Sequence, residues 1–121
     1  MISLRMMDLA RRISLKSEYD KYKIGAVIAN KGTILGVGWN RAKTHPKSPH
    51  KYKHLHAEID AAFRVPAWEL DGATIYVYRA KKDGSMGLSR PCESCYKYLK
   101  SHYVKWMVYT SDEGIKMEKI I

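Results

Sequence analysis

The stretch KIGAVIANKGTILGVGWN, residues 23–40, contains two segments rich in β-branched and apolar residues, Lys23–Asn30 and Thr33–Asn40. Lys31-Gly32 separates them, and glycine tolerates the positive φ that a tight turn between antiparallel strands needs. The stretch therefore predicts a β-hairpin. Its longest apolar run, residues 24–29, is far shorter than the ~20 residues that span a bilayer.

The segments on either side of the hairpin predict a helix and a loop. Residues 3–17 carry apolar side chains at imperfect helical spacing with arginines between them, which predicts an N-terminal helix. Residues 41–55 include Pro46 and Pro49 and contain five Lys or Arg without an acid. Because proline blocks regular structure, a long basic loop is expected there.

The second half of the chain alternates between helical and extended patterns. Helices are predicted at 56–65 and 92–102, and strands at 73–79 and 104–110. The residues after 110 leave room for a turn and one strand, 115–121, which should pair antiparallel with 104–110. This order predicts an α/β fold whose mixed sheet, of about five strands, is covered by helices on both faces.

The composition indicates one globular domain with a basic surface. A chain of 121 residues with 45% hydrophobic residues suits a single domain over 1–121 and excludes a disordered or fibrous protein. Its 22 Lys and Arg outnumber 12 Asp and Glu, for a net charge of +10, which favours phosphorylated or polyanionic ligands. No signal peptide or membrane segment is recognised, so we expect a cytoplasmic protein with reduced cysteines.

Two short motifs at predicted helix starts carry the chemistry: His56-Ala57-Glu58 and Pro91-Cys92-Glu93-Ser94-Cys95. The two cysteines lie one helical turn apart, and thiolates suit a borderline-soft ion such as Zn²⁺. His56 completes three protein ligands and leaves the fourth tetrahedral position to water, which zinc activates at neutral pH. The pattern predicts a catalytic zinc site, with Glu58 placed to move the proton of that water.

These motifs, with Gly38-Trp39-Asn40 and a Gly-Ala-Val-Ile strand at 25–28, resemble the zinc-dependent cytidine and deoxycytidylate deaminase superfamily. The resemblance implies a three-layer α/β/α sandwich and a homo-oligomer. It implies that His56, Cys92 and Cys95 hold Zn²⁺ while Glu58 shuttles protons during hydrolytic removal of an exocyclic amine. It also implies that Asn40 contacts the substrate's sugar and that the backbone of Ala57 meets the base.

A cytosine-containing nucleotide or nucleoside, above all a deoxycytidine nucleotide, is the expected substrate. The basic loop and a second cluster at Arg79, Lys81, Lys82 and Arg90 flank the two motifs, so a phosphate would meet basic side chains there. The candidate substrate-binding residues besides Asn40 and Ala57 are Trp39 at the pocket border and, for phosphate, Arg41, Lys43 and Arg90.

Other interpretations remain open at this stage. The substrate can instead be cytosine or adenine in single-stranded DNA or RNA, or the chain can be a non-catalytic, zinc-stabilised nucleic-acid-binding module. The Cys-x-x-Cys pair can be a redox pair, and His54 can close the metal site as a fourth ligand. Asp60 and Glu93 are interpreted as solvated first-turn carboxylates.

Overall fold

The computed structural model describes residues 2–19, 22–41 and 56–121. The helices are α1 (Leu4–Ser14), α2 (Ala57–Phe63), α3 (Ala67–Leu70) and α4 (Glu93–Ser101). The strands are β1 (Lys23–Asn30), β2 (Thr33–Trp39), β3 (Thr74–Ala80), β4 (Met86–Gly87), β5 (Trp106–Ser111) and β6 (Gly114–Lys119). Within these three ranges, every helix is too short or too polar to cross a membrane.

The strands form one mixed sheet in the order β2-β1-β3-β5-β6, with β4 paired to the end of β3. Only the β3–β5 pair is parallel; the other pairs, including β5 with β6, are antiparallel. The predicted mixed sheet and the antiparallel last strand are therefore confirmed. The parallel β3–β5 register brings the carboxyl ends of both strands to the same edge as the amino terminus of α4.

Helices cover both faces of the sheet, which confirms the three-layer sandwich. Alternate residues of the central strands point to opposite faces. On one face Val27, Tyr76 and Val108 pack against α1. On the other face Ile28, Ile75 and Met107 pack in one core with residues of α2 and α4.

Two strand glycines allow the helices to approach the sheet closely. A Cβ atom on Gly25 would collide with the backbone of Ala10 and Ser14 in α1. A Cβ atom on Gly38 would collide with the backbone of Ala61 in α2. Glycine is required at both positions for space, and the approach of α2 to β2 fixes where the amino terminus of α2 lies.

The structure adds two elements that the sequence pattern did not predict. Helix α3 has four residues and begins after Pro66, and β4 has two residues that return alongside β3. Both are too short to show a periodic pattern. The first helix also ends at Ser14 rather than at residue 17, and the sheet has six strands instead of about five.

Candidate active site

Two helix amino termini meet at the candidate site. His56 is the N-cap of α2 and Cys92 is the N-cap of α4, both with extended backbone angles, and Cys95 lies in the first turn of α4. The Nδ1 atom of His56 lies 3.7 Å from Sγ of Cys92 and 3.5 Å from Sγ of Cys95. All three donor atoms lie within 4.8 Å of one another. The two sequence motifs are thus brought together as predicted.

These distances suit a tetrahedral zinc ion. Zn–S bonds of about 2.3 Å and Zn–N bonds of about 2.0 Å at tetrahedral angles place nitrogen and sulfur about 3.5 Å apart. Both observed nitrogen–sulfur distances agree with that value. One imidazole and two thiols are also a donor set that zinc prefers. Among the described residues the cluster holds these three donors and no fourth; His54 lies outside the described residues.

The protonation of the three donors depends on their close packing. Hydrogen bonding with Cys92, followed by burial, raises the pKa of the Cys95 thiol far above its usual value. Hydrogen bonding with Cys92 also raises the pKa of His56. Two adjacent thiolates repel each other, and a divalent cation between them removes that repulsion, so this cluster is better suited to hold an ion than to remain protonated.

The Glu58 carboxyl lies in the same pocket as His56 and Cys92 and is only 5% exposed. Burial raises its pKa, while a backbone hydrogen bond and the charge of His56 act in the opposite direction. A carboxyl group whose pKa is raised exchanges protons more readily near neutral pH. Its position in the first turn of α2 is set by the packing of α2 against β2 and β1.

The pocket around these groups has a volume of about 230 Å³. Of the substrate-binding candidates, Asn40, Ala57 and Arg90 line it. Arg79, of the second basic cluster, also lines it, together with residues that the sequence analysis did not single out, namely Tyr22, Ile24, Leu88 and Ser89. The phosphate-binding candidate Lys43 lies outside the described residues.

Asn40 is 2% exposed and forms part of the pocket wall. Its Oδ1 accepts a hydrogen bond from the backbone of Ile24 at 2.9 Å, and its Nδ2 donates to the carbonyl of Tyr22 at 3.1 Å. Asn40 therefore holds the start of β1 and the neighbouring Tyr22 against the site. Contact of Asn40 with a sugar stays a prediction.

Trp39 and Arg41 are absent from the described lining of the pocket, although Asn40 lies between them. The guanidinium of Arg41 lies 4.0 Å from the centroid of the Trp39 ring. Substrate contacts of Trp39 and Arg41 stay predictions.

Asp60 corrects one expectation, because this carboxylate is buried rather than solvated. It accepts hydrogen bonds from the backbone of Trp39 at 3.1 Å and from Arg41 at 3.2 Å. It also pairs with Arg64 at 3.5 Å. Asp60 joins the end of β2 to α2, and its position in an otherwise apolar helical segment was the available signal. Glu93 is exposed beside Lys97, as expected.

Ser89 is a second buried polar residue that sequence reasoning missed. Its hydroxyl donates to the carbonyl of Val77 at 2.8 Å and accepts from the backbone N–H of Thr110 at 2.8 Å. The Thr110 hydroxyl in turn donates to the carbonyl of Gly87 at 2.7 Å. These bonds fix the segment before Cys92 against the ends of β3 and β5. Nothing in the spacing of the motifs marks Ser89.

The family model for the cytidine and deoxycytidylate deaminase zinc-binding region matches residues 2–111. The chain belongs to this family. Members of this family are zinc-dependent hydrolytic deaminases, and His56, Cys92 and Cys95 are arranged as the zinc site of this one. The non-catalytic and redox interpretations are thereby set aside.

Solved structures of other deaminases share the fold. The apo dCMP deaminase of cyanophage S-TIM5 is 25% identical, with a TM-score of 0.69 over 89% of this chain and 81% of that one. The same phage enzyme in complex with dCMP and dUMP gives a TM-score of 0.66 at 23% identity over 89% and 79%. Cytidine deaminase from Burkholderia pseudomallei gives 0.70 at 20% identity over 99% and 94%. No curated protein sequence matches the deaminase.

Proposed function

We propose that the chain deaminates a deoxycytidine nucleotide, with dCMP as the first candidate, to the uracil form and ammonia. The observation that carries the proposal is that one pocket is lined by two members of the His-Cys-Cys cluster, by buried Glu58 and by the arginines Arg79 and Arg90. The 25% identical phage enzyme, a dCMP deaminase, supports the choice of nucleotide.

The proposed chemistry assigns proton transfer to Glu58. Zinc held by His56, Cys92 and Cys95 would supply an activated water molecule at neutral pH. Glu58 would take a proton from this water as the water oxygen bonds to C4 of cytosine, and would deliver that proton to the ring nitrogen N3. It would then carry the remaining proton of the added hydroxyl to the amino group, so that the C4–N bond breaks, ammonia leaves and C4 becomes a carbonyl.

Ammonia release from zinc-loaded protein tests this proposal. dCMP, dCTP, deoxycytidine and cytidine are compared, and products are identified by the mass change of an amino-to-keto exchange. The Glu58→Gln variant is the matched control, because the amide keeps the shape of the side chain but cannot carry the proton. Absence of ammonia with all four substrates would refute the proposed function.

The second candidate substrate is a base in single-stranded DNA or RNA. It is favoured by the net charge of +10 and by the cations around Trp39, where Lys16, Arg41 and Arg64 lie 5.7, 4.0 and 5.5 Å from the ring centroid. Basic and aromatic side chains together suit a polynucleotide. Deamination of a single-stranded oligonucleotide in preference to dCMP would favour this candidate.

We also propose that the enzyme is a cytoplasmic homo-oligomer. Thiol ligands require a reducing compartment. A groove lined by Phe63, Leu70, Tyr98 and His102 lies beside α3, whose Trp68 is 78% exposed. Exposed apolar surface of this kind favours self-association. Sedimentation of wild-type protein and of Trp68→Lys tests it; a wild-type monomer at assay concentration would contradict it.

A further inference from the structure

Arg79 is placed in the active-site pocket by the sheet. It lies near the end of β3, pairs with Ile24 of β1, and donates its backbone N–H to the hydroxyl of Thr110 at 3.2 Å. Its side chain lines the pocket that also contains His56 and Glu58. A guanidinium carried by a central strand is held more firmly than one on a loop.

The side chain of Arg79 is held between an aromatic ring and a glycine. Its guanidinium carbon lies 4.9 Å from the centroid of the Tyr22 ring. On the neighbouring β4 strand, a Cβ atom at Gly87 would lie 3.0 Å from Cδ of Arg79 and 3.2 Å from its Nε. Gly87 therefore provides the space that the arginine occupies, and the guanidinium is fixed before any ligand arrives.

The guanidinium of Arg79 has N–H donors that are not used in strong hydrogen bonds within the described part of the chain. NH1 donates to the carbonyl of Leu88 at 3.5 Å, a long hydrogen bond, and the buried Nε has no acceptor within the described part of the chain. No carboxylate of the described ranges forms an ion pair with Arg79. Asp112 forms its ion pair with Lys81, at 2.8 Å. Lys81 lowers the pKa of this carboxyl most, and the charge of Arg79 lowers it further. Buried donors without acceptors are rare in proteins.

The two other phosphate candidates among the described residues, Arg90 and Arg41, are already paired with carboxylates. Arg90 forms a two-point ion pair with Glu118, with contacts of 2.8 and 3.2 Å. Arg41 is paired with Asp60 and is absent from the described lining of the pocket. Burial raises the pKa of Tyr22, so the phenol stacked on Arg79 stays neutral and supplies no countercharge. Of the two arginines that line the described part of the pocket, Arg79 is the one without a carboxylate partner, so its charge can attract a ligand.

We propose that Arg79 binds the phosphate group of a free 5′-mononucleotide and thereby makes the enzyme select nucleotides over nucleosides. The inference rests on the proposed deamination of a deoxycytidine nucleotide. A planar guanidinium binds two phosphate oxygens at once, and a phosphate supplies the acceptors that its donors lack. A mononucleotide phosphate carries more charge than the phosphodiester of a strand, so it gains more from one fixed cation.

The test compares matched pairs with and without phosphate. For wild type and Arg79→Gln, kcat/KM is measured with dCMP and deoxycytidine, and binding of dUMP and deoxyuridine is measured by calorimetry. We expect Arg79→Gln to lose about tenfold or more with dCMP and with dUMP, mainly in KM and Kd, because charge-assisted bonds are strong. The values for deoxycytidine and deoxyuridine should change less than about twofold, which also shows that the variant is folded.

Three further variants sharpen the result. Arg79→Lys keeps the charge without the planar fork and should lose less than Arg79→Gln. Gly87→Ala keeps the guanidinium but displaces it, so it should give the same phosphate-selective loss. Arg5→Gln, an exposed change on α1, removes the same net charge far from the pocket in sequence and should leave both pairs unchanged.

Equal loss with the nucleotide and nucleoside, no loss with either, or phosphate-selective loss in Arg90→Gln instead of Arg79→Gln would overturn the proposal. A loss as large for a single-stranded oligonucleotide as for dCMP would overturn the assignment to a free mononucleotide. If no variant, wild type included, turns over any substrate, the proposed function fails. The binding of dUMP against deoxyuridine then still decides the role of Arg79, so the two failures are distinguishable.

Discussion

Replacement of Ser89 by alanine should weaken the junction between the sheet and the segment that carries Cys92. The change removes the acceptor of the buried Thr110 N–H and the donor to the Val77 carbonyl, both at 2.8 Å. A buried polar group left without a partner costs about 1–3 kcal/mol. With two such groups affected and some relaxation, we expect the free energy of unfolding to fall by about 2–4 kcal/mol.

Urea denaturation at fixed zinc concentration measures this loss, since bound metal shifts apparent stability. Ser85→Ala is the matched control: Ser85 is exposed and its hydroxyl donates to the exposed Asp83, so the loss of stability should stay below about 0.5 kcal/mol. If Ser89→Ala is no more destabilised than Ser85→Ala, the Ser89 hydroxyl does not join the sheet to the site as described.

Three other changes test the site and its surroundings. Glu58→Gln should lower turnover at least about a hundredfold while metal analysis still finds bound zinc; unchanged turnover would exclude Glu58 as the proton carrier. Cys95→Ser, or treatment of wild type with a strong chelator, should abolish activity and lower the melting temperature, and an unshifted melting curve would contradict a metal ligand at Cys95. Hydrogen bonds from Arg90 and then Tyr109 lower the pKa of Glu118, so its stabilising contribution is complete above the unfolded carboxyl pKa of about 4.3 and is lost as the pH falls through the lower folded value. Glu118→Gln should therefore flatten the acid side of the stability curve measured by thermal melting, and a parallel curve would refute this.

Local signals were sufficient to predict most of the fold. The hairpin turn at Lys31-Gly32 and the alternating apolar residues of the strands are properties of neighbouring residues. The metal cluster was predictable for a related reason. Both ligand motifs start a helix, and helix starts next to a sheet edge converge without long-range adjustment.

The features of the site that the sequence did not predict are set by contacts between residues far apart in the chain. Asp60 is buried because two arginines and the backbone of Trp39 surround it, and no spacing in the sequence reports that meeting. Arg79 was one of several cations in a basic cluster, and its tertiary contacts, together with the pairing of Arg90 with Glu118, distinguish it from Arg90.

The ligand spacing has a consequence for how the protein is maintained. His56 and Cys92 are 36 residues apart, and β3 and β4 lie between them. An ion that binds these donors in the folded protein, and not in the unfolded chain, would stabilise the fold by its binding free energy and would tie both ends of this segment to one site. The enclosed segment contains Arg79 and Ser89. Loss of the metal would therefore remove the activated water and also loosen the segment that forms this side of the pocket.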